Sequence, residues 1–199
     1  MTIRSVKISD ADIRHLASKV PPKPSDNPVV DFADYLVNKP WGYEYLMYRN
    51  DFVEVWSLFI KEGHSTSLHC HPNKKTALIV LDGKALFSGL NGSLELGPLD
   101  TVIIDSGVFH STQAISKRGL KLLELETPPM KNDLIRLEDK YGRVNTGYER
   151  PEKMKLVNAS YVNFENHANC SLKNIGKYDL NISFLNDKND LDKKFFKNS

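Results

Sequence analysis

An all-β fold, a barrel or sandwich of many short strands, is what the sequence predicts, and three observations carry that reading. Between positions 39 and 127, runs rich in β-branched and aromatic residues recur at 43–48, 53–60, 76–81, 85–88, 101–104 and 120–126, each of strand rather than helix length. Turn signals separate them: Arg49-Asn50-Asp51, Glu62-Gly63, Asp82-Gly83, Asn91-Gly92, Gly97-Pro98 and Ser106-Gly107. The composition, 40% hydrophobic and 26% charged over 199 residues, is that of a globular domain with extensions and excludes long disorder or a collagen-like repeat.

Taken in order, Ser9-Asp10-Ala11-Asp12 offers an N-cap and an acidic first turn. Ile13, Leu16, Ala17 and Val20 follow at helical spacing, so 9–20 reads as a short amphipathic helix. Pro21-Pro22-Lys23-Pro24 ends it, because proline fixes φ and lacks a donor; residues 1–38 are thus an N-terminal helix and Pro-rich arm. Residues 39–127 form the barrel. Within it Asp82-Gly83 and Asn91-Gly92 read as hairpin turns, since both dipeptides tolerate the positive φ of type I′ turns. Residues 128–150, opening on Pro128-Pro129, read as helix or turn leaving the barrel. Residues 151–199 read as one or two added strands, at 155–164 and 178–185, with a tail that frays from Asn186 or docks Phe195-Phe196 on a partner subunit.

Charge narrows the class of partner. Lys+Arg 27 against Asp+Glu 25 leaves a net charge of +2 with the basic residues scattered, so neither nucleic acid nor an anionic membrane is expected, and a compact polar small molecule is. No apolar run approaches the ~20 residues that cross a bilayer, and Met1-Thr2-Ile3-Arg4-Ser5-Val6-Lys7 lacks the apolar stretch of a signal peptide; the expected location is the cytoplasm. Cys70 and Cys170 have no Cys-x-x-Cys spacing and read as free thiols.

Histidine carries the chemistry. There are six, yet His64, His69 and His71 fall within eight positions, and His110 follows the turn at Ser106-Gly107. On a strand His69 and His71 share a face while Cys70 points the other way, which makes half a metal site. His110 entering from a neighbouring strand would complete a three-histidine set. His64, beside Gly63, reads as a surface residue. Glu124 and Glu126 share a strand face, so an inward carboxylate would serve as a base or substitute ligand and an outward pair would only be solvated.

Gly63-His64-Ser65-Thr66-Ser67-Leu68-His69-Cys70-His71, continuing to Asp82-Gly83, and the stretch from Leu96-Gly97-Pro98 to Gly107-Val108-Phe109-His110 resemble the two cupin motifs. The resemblance implies a cupin-type jelly-roll β-barrel with a divalent metal on two histidines and a glutamate of the first motif plus the histidine of the second. Lys39-Pro40-Trp41-Gly42-Tyr43 before the barrel, and the run from Asp133-Leu134-Ile135-Arg136 to Tyr141-Gly142-Arg143 after it, resemble the flanks of the cupin domain in type II mannose-6-phosphate isomerases and mannose-1-phosphate guanylyltransferases. That similarity covers residues 39–143. One departure is chemical: the motif glutamate falls on Thr76, with Lys74 and Lys75 just before it, and the second motif's proline is Asp105. The metal centre implied by resemblance is therefore His69, His71 and His110, holding Zn, Mn, Ni or Fe weakly or holding none. A separate nucleotide-binding domain does not fit in 38 leading residues, so nucleotidyl transfer is not expected.

The function implied by resemblance is isomerisation or epimerisation of a sugar phosphate or nucleotide sugar through an enediolate. Such chemistry needs a base, for which His110, Glu126 and Glu124 are the candidates, and an electrophile, supplied by the metal or by a protonated histidine or lysine. Arg136, Lys75 and Lys74 are candidate holders of the substrate's anionic end, and Trp41 and Tyr43 either stack on sugar or pack the barrel mouth. A non-catalytic sugar-binding or regulatory cupin with a degenerate metal site is the alternative, and a homodimer is the expected assembly.

Overall fold

The computed structural model describes residues 1–19, 32, 35–144, 146–149, 151–156, 171–175 and 178–182. One α-helix, α1 (Asp10–Ala17), accompanies fifteen strands among the described residues. The strands are β1 (Ile3–Val6), β2 (Tyr35–Lys39), β3 (Gly42–Arg49), β4 (Glu54–Ile60), β5 (Leu68–Cys70), β6 (Lys75–Asp82), β7 (Ala85–Gly89), β8 (Gly92–Leu96), β9 (Thr101–Ile104), β10 (His110–Ala114), β11 (Leu120–Thr127), β12 (Ile135–Glu138), β13 (Met154–Leu156), β14 (Ser171–Ile175) and β15 (Tyr178–Ile182). The sheet order β1-β9-β6-β11-β4-β3-β2-β13 forms one eight-stranded wall and β12-β5-β10-β7-β8 the facing five-stranded wall; β14 and β15 pair with each other. This is a jelly-roll barrel of cupin type, all-β among the described residues apart from α1 and a 3-10 turn at Pro151–Lys153.

Period-two alternation explains why the walls face each other. Trp56, Leu58 and Ile60 on β4, Leu78 and Val80 on β6, and Leu120 and Leu122 on β11 point inward against Phe87, Leu96 and Ala114 of the opposite sheet, and all are buried. Fully burying such side chains contributes about 1.5–3 kcal/mol each. The same parity carries polar groups at one end of the barrel. Glu126 stands directly between Thr76 of β6 and Glu54 of β4, and Glu124 between Leu78 and Trp56. Three strands, β4, β6 and β11, thus run from an apolar floor to a charged mouth.

The N-terminal segment belongs to the barrel. β1 pairs in parallel with β9, in register Ile3 with Thr101 to Val6 with Ile104. The helix begins where Ser9 caps it in a reciprocal capping box with Asp12. Its apolar stripe was expected to bury it, but Ile13 is exposed, Leu16 only half-buried, and the most buried helical residue is Asp12. Asp12 Oδ2 accepts from the Ser9 amide at 3.0 Å, while Oδ1 accepts the Phe109 amide at 2.8 Å. One carboxylate therefore closes the helix and ties it to the turn that delivers His110.

Three further expectations are corrected. The hairpin of β7 and β8 forms, but its two loop residues are Leu90-Asn91, neither with positive φ, and Gly92 is already paired with Gly89; β6 and β7 lie in different sheets, so Asp82-Gly83 is a corner between walls. Turn chemistry specifies the positive φ of Gly83, +89°, and does not specify which strand the chain pairs with next. The segment 128–150 was expected as helix or turn, yet Ile135–Glu138 adds β12 to the five-stranded sheet beside β5. β2 and β13 likewise extend the large sheet beyond 39–127. The Pro-rich stretch 21–28, most of the expected strand 155–164, Cys170 and the tail from Asn186 lie outside the described residues.

Replacing Asp12 by alanine removes the N3 half of the capping box, while Ser9 still caps the helix, and leaves the buried Phe109 amide without its acceptor. An orphaned buried donor costs ~1–3 kcal/mol, which is the loss expected in urea unfolding; a loss below about 0.5 kcal/mol would contradict this role of the carboxylate.

Candidate functional site

Two short strands of the smaller sheet bring the histidines together. In register, Arg136 of β12 pairs with His69 of β5, and His69 pairs with His110 of β10, so three side chains from three strands share one inward row. His71 follows β5 by one residue and returns to the same face. Ring centroids stand 4.5 Å apart for His69 and His110, 5.0 Å for His69 and His71, and 5.5 Å for His71 and His110. One ligand-capable nitrogen from each lies within 4.8 Å of the others.

Each imidazole has its Nδ1 set by a backbone carbonyl: Ser67 O at 2.8 Å for His69, Asp133 O at 2.6 Å for His71 and Val108 O at 2.9 Å for His110. A carbonyl only accepts, so in each neutral ring the proton sits on Nδ1 and the lone pair on Nε2. Burial favours the neutral form in all three. It lowers the pKa of His110 to about 4, and takes His69, with His110 beside it, and His71, with Lys74 beside it, well below the ordinary range. Buried His71 Nε2 has no partner among the described residues. Three neutral rings held by Nδ1–H to carbonyls, with their lone pairs gathered, form a donor set that fits a divalent metal ion.

The opposite wall supplies charge. Glu124 and Glu126 both face inward from β11, and with His71 they form a second group whose ligand atoms lie within 4.8 Å of one another. Burial, and after it the Glu126 charge, push the Glu124 carboxyl up to about 7. Lys74 is buried and its Nζ lies 2.7 Å from Glu126 Oε1. Lys131 Nζ contacts Glu44 at 3.2 Å and Glu126 at 3.6 Å, and sits 3.5 Å over the Trp56 ring. Burial opposes the Lys131 charge, but the surrounding carboxylates outweigh it and raise its pKa. Lys39 bridges Glu44 and Glu149 at 3.4 and 3.6 Å; burial, only partly offset by those two, lowers its pKa to about 8. Glu44 also accepts from the Tyr148 hydroxyl.

A narrow cavity, open at the mouth, lies between these walls and is lined by His69, His71, Lys74, Glu124, Glu126, Lys131, Arg136, Trp41 and Tyr148, among others. A smaller hollow behind it reaches His110, Thr112 and the apolar floor at Ile60, Leu78 and Leu122. Arg136 differs from the other cations: its Nη1 donates to Thr146 O at 2.5 Å and Gly147 O at 2.8 Å, and it makes no carboxylate ion pair among the described residues. Its Nε is buried without a partner among the described residues.

Most residues singled out by sequence converge here: His69, His71, His110, Glu124, Glu126, Lys74, Arg136 and Trp41. Two substrate-binding candidates do not. Lys75 precedes inward Thr76 on a strand, so its side chain turns outward, 59% exposed, to meet Asp105 at 3.3 Å. Tyr43, between inward Gly42 and Glu44, packs outside against Phe59. Lys74 itself is no solvated turn residue. Sequence reasoning missed Lys39, Glu44, Glu54, Lys131, Tyr148 and Glu149. Glu44 and Glu54 carried a signal, each being a charge on the parity of an apolar strand face; Lys131 and Tyr148 arrive on loops and carried none.

Facing jelly-roll sheets with histidines clustered inside define a cupin-type barrel. No protein-family model matches the chain. It is 28% identical over 111 residues to mannose-1-phosphate guanylyltransferase ManC of Salmonella typhimurium, covering 54% of this chain and 23% of that protein. It is 28% identical over 109 residues to xanthan biosynthesis protein XanB of Xanthomonas campestris, covering 54% and 23%, and 26% identical over 123 residues to alginate biosynthesis protein AlgA of Pseudomonas putida, covering 61% and 25%. The matched stretch thus spans about a quarter of each relative, and the likeness is to their cupin region. Among solved structures, a RmlC-like cupin from Shewanella frigidimarina overlays with a TM-score of 0.45 at 14% identity, covering 48% of this chain and 85% of that one. CapF of Staphylococcus aureus, a capsular polysaccharide assembling protein, overlays with a TM-score of 0.46 at 18% identity, covering 52% and 34%. No helix among the described residues is long and apolar enough to cross a membrane.

The pKa pattern fixes a sign for stability against pH. The three histidines have folded pKa values below the ordinary unfolded value of about 6.5, so the unfolded chain takes up protons first and their contribution is lost as pH falls from about 6.5 toward 4. Glu124, raised to about 7, opposes this by binding its proton in the folded state. Urea unfolding at pH 7, 6 and 5 is expected to show falling stability, each histidine contributing up to about 1.4 kcal/mol per pH unit. Glu124→Gln should steepen the fall and His71→Gln should flatten it; a pH-independent free energy over this window would contradict neutral burial.

Proposed function

We propose that this protein is a sugar-phosphate or nucleotide-sugar isomerase or epimerase that works through an enediolate in the histidine-lined cavity. The observation that carries the reading is Glu124: a buried carboxylate of raised pKa in the same cavity as the imidazoles of His69 and His71 and a guanidinium with no carboxylate partner among the described residues. The similarity to mannose-1-phosphate guanylyltransferase ManC supports a sugar as the ligand. Aldose–ketose interconversion moves a proton between adjacent carbons, and a base with a pKa near 7 both accepts and returns it efficiently at neutral pH. Glu124 fills that role better than His110, whose pKa of about 4 suits a ligand. Glu126, already paired with Lys74 and Lys131, is the poorer base of the two.

The remaining groups bind and orient. Arg136 grips the phosphate with the guanidinium donors not committed to Thr146 and Gly147. Lys74 contributes N–H donors to the oxyanion that develops as Glu124 removes the proton. Trp41 and Leu58 form an apolar flank that excludes water from the reacting carbons. His69, His71 and His110 would hold a divalent ion, which when bound supplies Lewis-acid stabilisation of the enediolate charge.

A second reading, a non-catalytic sugar-binding cupin, is favoured by one observation: Thr76, buried where a carboxylate ligand is expected, has an Oγ1 with no partner among the described residues. The two readings part on turnover. Aldose-to-ketose conversion of mannose 6-phosphate is expected in the wild type and, in Glu124→Gln, at a rate lower by about 100-fold or more with binding retained. In calorimetry mannose 6-phosphate and mannose 1-phosphate should bind at least about 10-fold tighter than mannose, and Arg136→Met should abolish that preference. Binding without turnover in any sugar phosphate would establish the second reading, and equal binding of mannose and its phosphates would remove the anionic anchor.

A further inference from the structure

Thr76 leaves the first motif without a carboxylate, yet one stands beside it in the sheet. Glu126 of β11 is the direct cross-strand partner of Thr76 of β6, and directly paired residues carry their side chains on the same face, with Cβ atoms ~5 Å apart. Both point inward and are buried. A ligand atom of Glu126, one of Glu124 and a ring nitrogen of His71 lie within 4.8 Å of one another. Two of the atoms in this group are buried and unpartnered among the described residues: His71 Nε2 and Glu126 Oε2. The His71 Nδ1–H is already committed to the Asp133 carbonyl, so the unpartnered nitrogen is the one with the lone pair.

The other Glu126 oxygen is taken. Oε1 lies 2.7 Å from Lys74 Nζ and 3.6 Å from Lys131 Nζ. Lys74 is 1% exposed, and Glu126 is its carboxylate partner among the described residues. An ammonium this deep stays ionised only beside a counter-charge, so the pair is mutually dependent. A divalent cation seated on His71 and Glu126 Oε2 would stand close to the ammonium groups already on Oε1, and each added like charge at that distance weakens the hold of the others.

We propose that Glu126 supplies, from the neighbouring strand, the carboxylate that Thr76 does not, and that Lys74 is a tethered cation competing with a divalent metal for it. In the metal-free protein Lys74 completes the charge balance of the cavity. Metal binding displaces the ammonium from Glu126 and turns its N–H groups toward the cavity, so metal and lysine occupy the carboxylate in turn. The donor set becomes His71 and a carboxylate borrowed from the next strand, at the edge of the histidine cluster, with an affinity set by how readily Lys74 gives way. The inference rests on the reading that the histidine cluster holds a metal.

The test is calorimetric titration of Mn²⁺ and Zn²⁺ into metal-stripped full-length protein: wild type, Lys74→Met, Glu126→Gln, the double variant Lys74→Met/Glu126→Gln, and Thr76→Glu. Lys74→Met should bind at least ten-fold tighter than wild type, and the gain should vanish in the double variant. A second measurement needs no substitution: in protein labelled with ¹⁵N-lysine, the Lys74 ammonium resonance should shift as diamagnetic Zn²⁺ saturates the wild type. Equal affinities for wild type and Lys74→Met, a gain that survives loss of Glu126, or a Lys74 signal unmoved at Zn²⁺ saturation would overturn the competition while leaving the histidine centre standing. No binding in any variant, Thr76→Glu included, would overturn the histidine centre and this inference together.

Discussion

A buried carboxylate needs a cation within reach, and the inner face of β11 carries two carboxylates. Most of the charged mouth follows from that constraint. Glu126 recruits Lys74 and Lys131; Lys131 in turn reaches Glu44, which is shared with Lys39 and Tyr148, and Lys39 continues to Glu149 and thence to Arg143 at 2.6 Å. The chain of pairs crosses from the large sheet into loops 131 and 148–149, so the segment after the barrel is held in place as much by charge as by apolar contact. Breaking such a network at one member leaves an uncompensated ion, which costs more than the pair contributes when whole.

The same end of the barrel is fastened from the other side by groups that carry no net role in chemistry. Asp12 ties α1 to the Phe109 amide, the Gly107 amide donates to the His71 carbonyl at 2.8 Å, and Val108 supplies the carbonyl that orients His110. An extra Cβ at Gly107 would come within 2.8 Å of Ile8, which shows how closely the N-terminal segment lies on the histidine-bearing turn. The orientation of the imidazoles is therefore a property of backbone carbonyls, which side-chain substitutions leave in place.

How much of this was legible in the sequence depends on whether a feature obeys strand parity. His69 and His71, two apart on a strand, and Glu124 and Glu126, on the parity of Leu120 and Leu122, announced their shared faces. Parity also contained the outward turn of Lys75 and Tyr43, each adjacent to inward residues, but composition drew attention to a charge and an aromatic ring and away from position. Other features were set by tertiary pairing. Which strand follows Asp82-Gly83, the conversion of 135–138 into an edge strand beside β5, and the arrival of Lys131 and Tyr148 through loops depend on contacts distant in sequence. Helix α1 shows the third kind of miss: its apolar spacing was read correctly, and a single buried carboxylate decided how it docks.

The Nδ1–carbonyl contacts have a consequence for any molecule that enters. Because all three imidazoles are held in the same tautomer, none can donate to another through Nε2, and the cluster is a concave patch of lone pairs. Beside it in the same row stands the Arg136 guanidinium, and across the cavity the ammonium groups of Lys74 and Lys131 are already turned to Glu126 and Glu44. Lone pairs and a cation therefore lie side by side on one sheet, and a hydroxyl proton and a neighbouring unprotonated oxygen of one guest can be met by adjacent side chains of that sheet, His69 and Arg136.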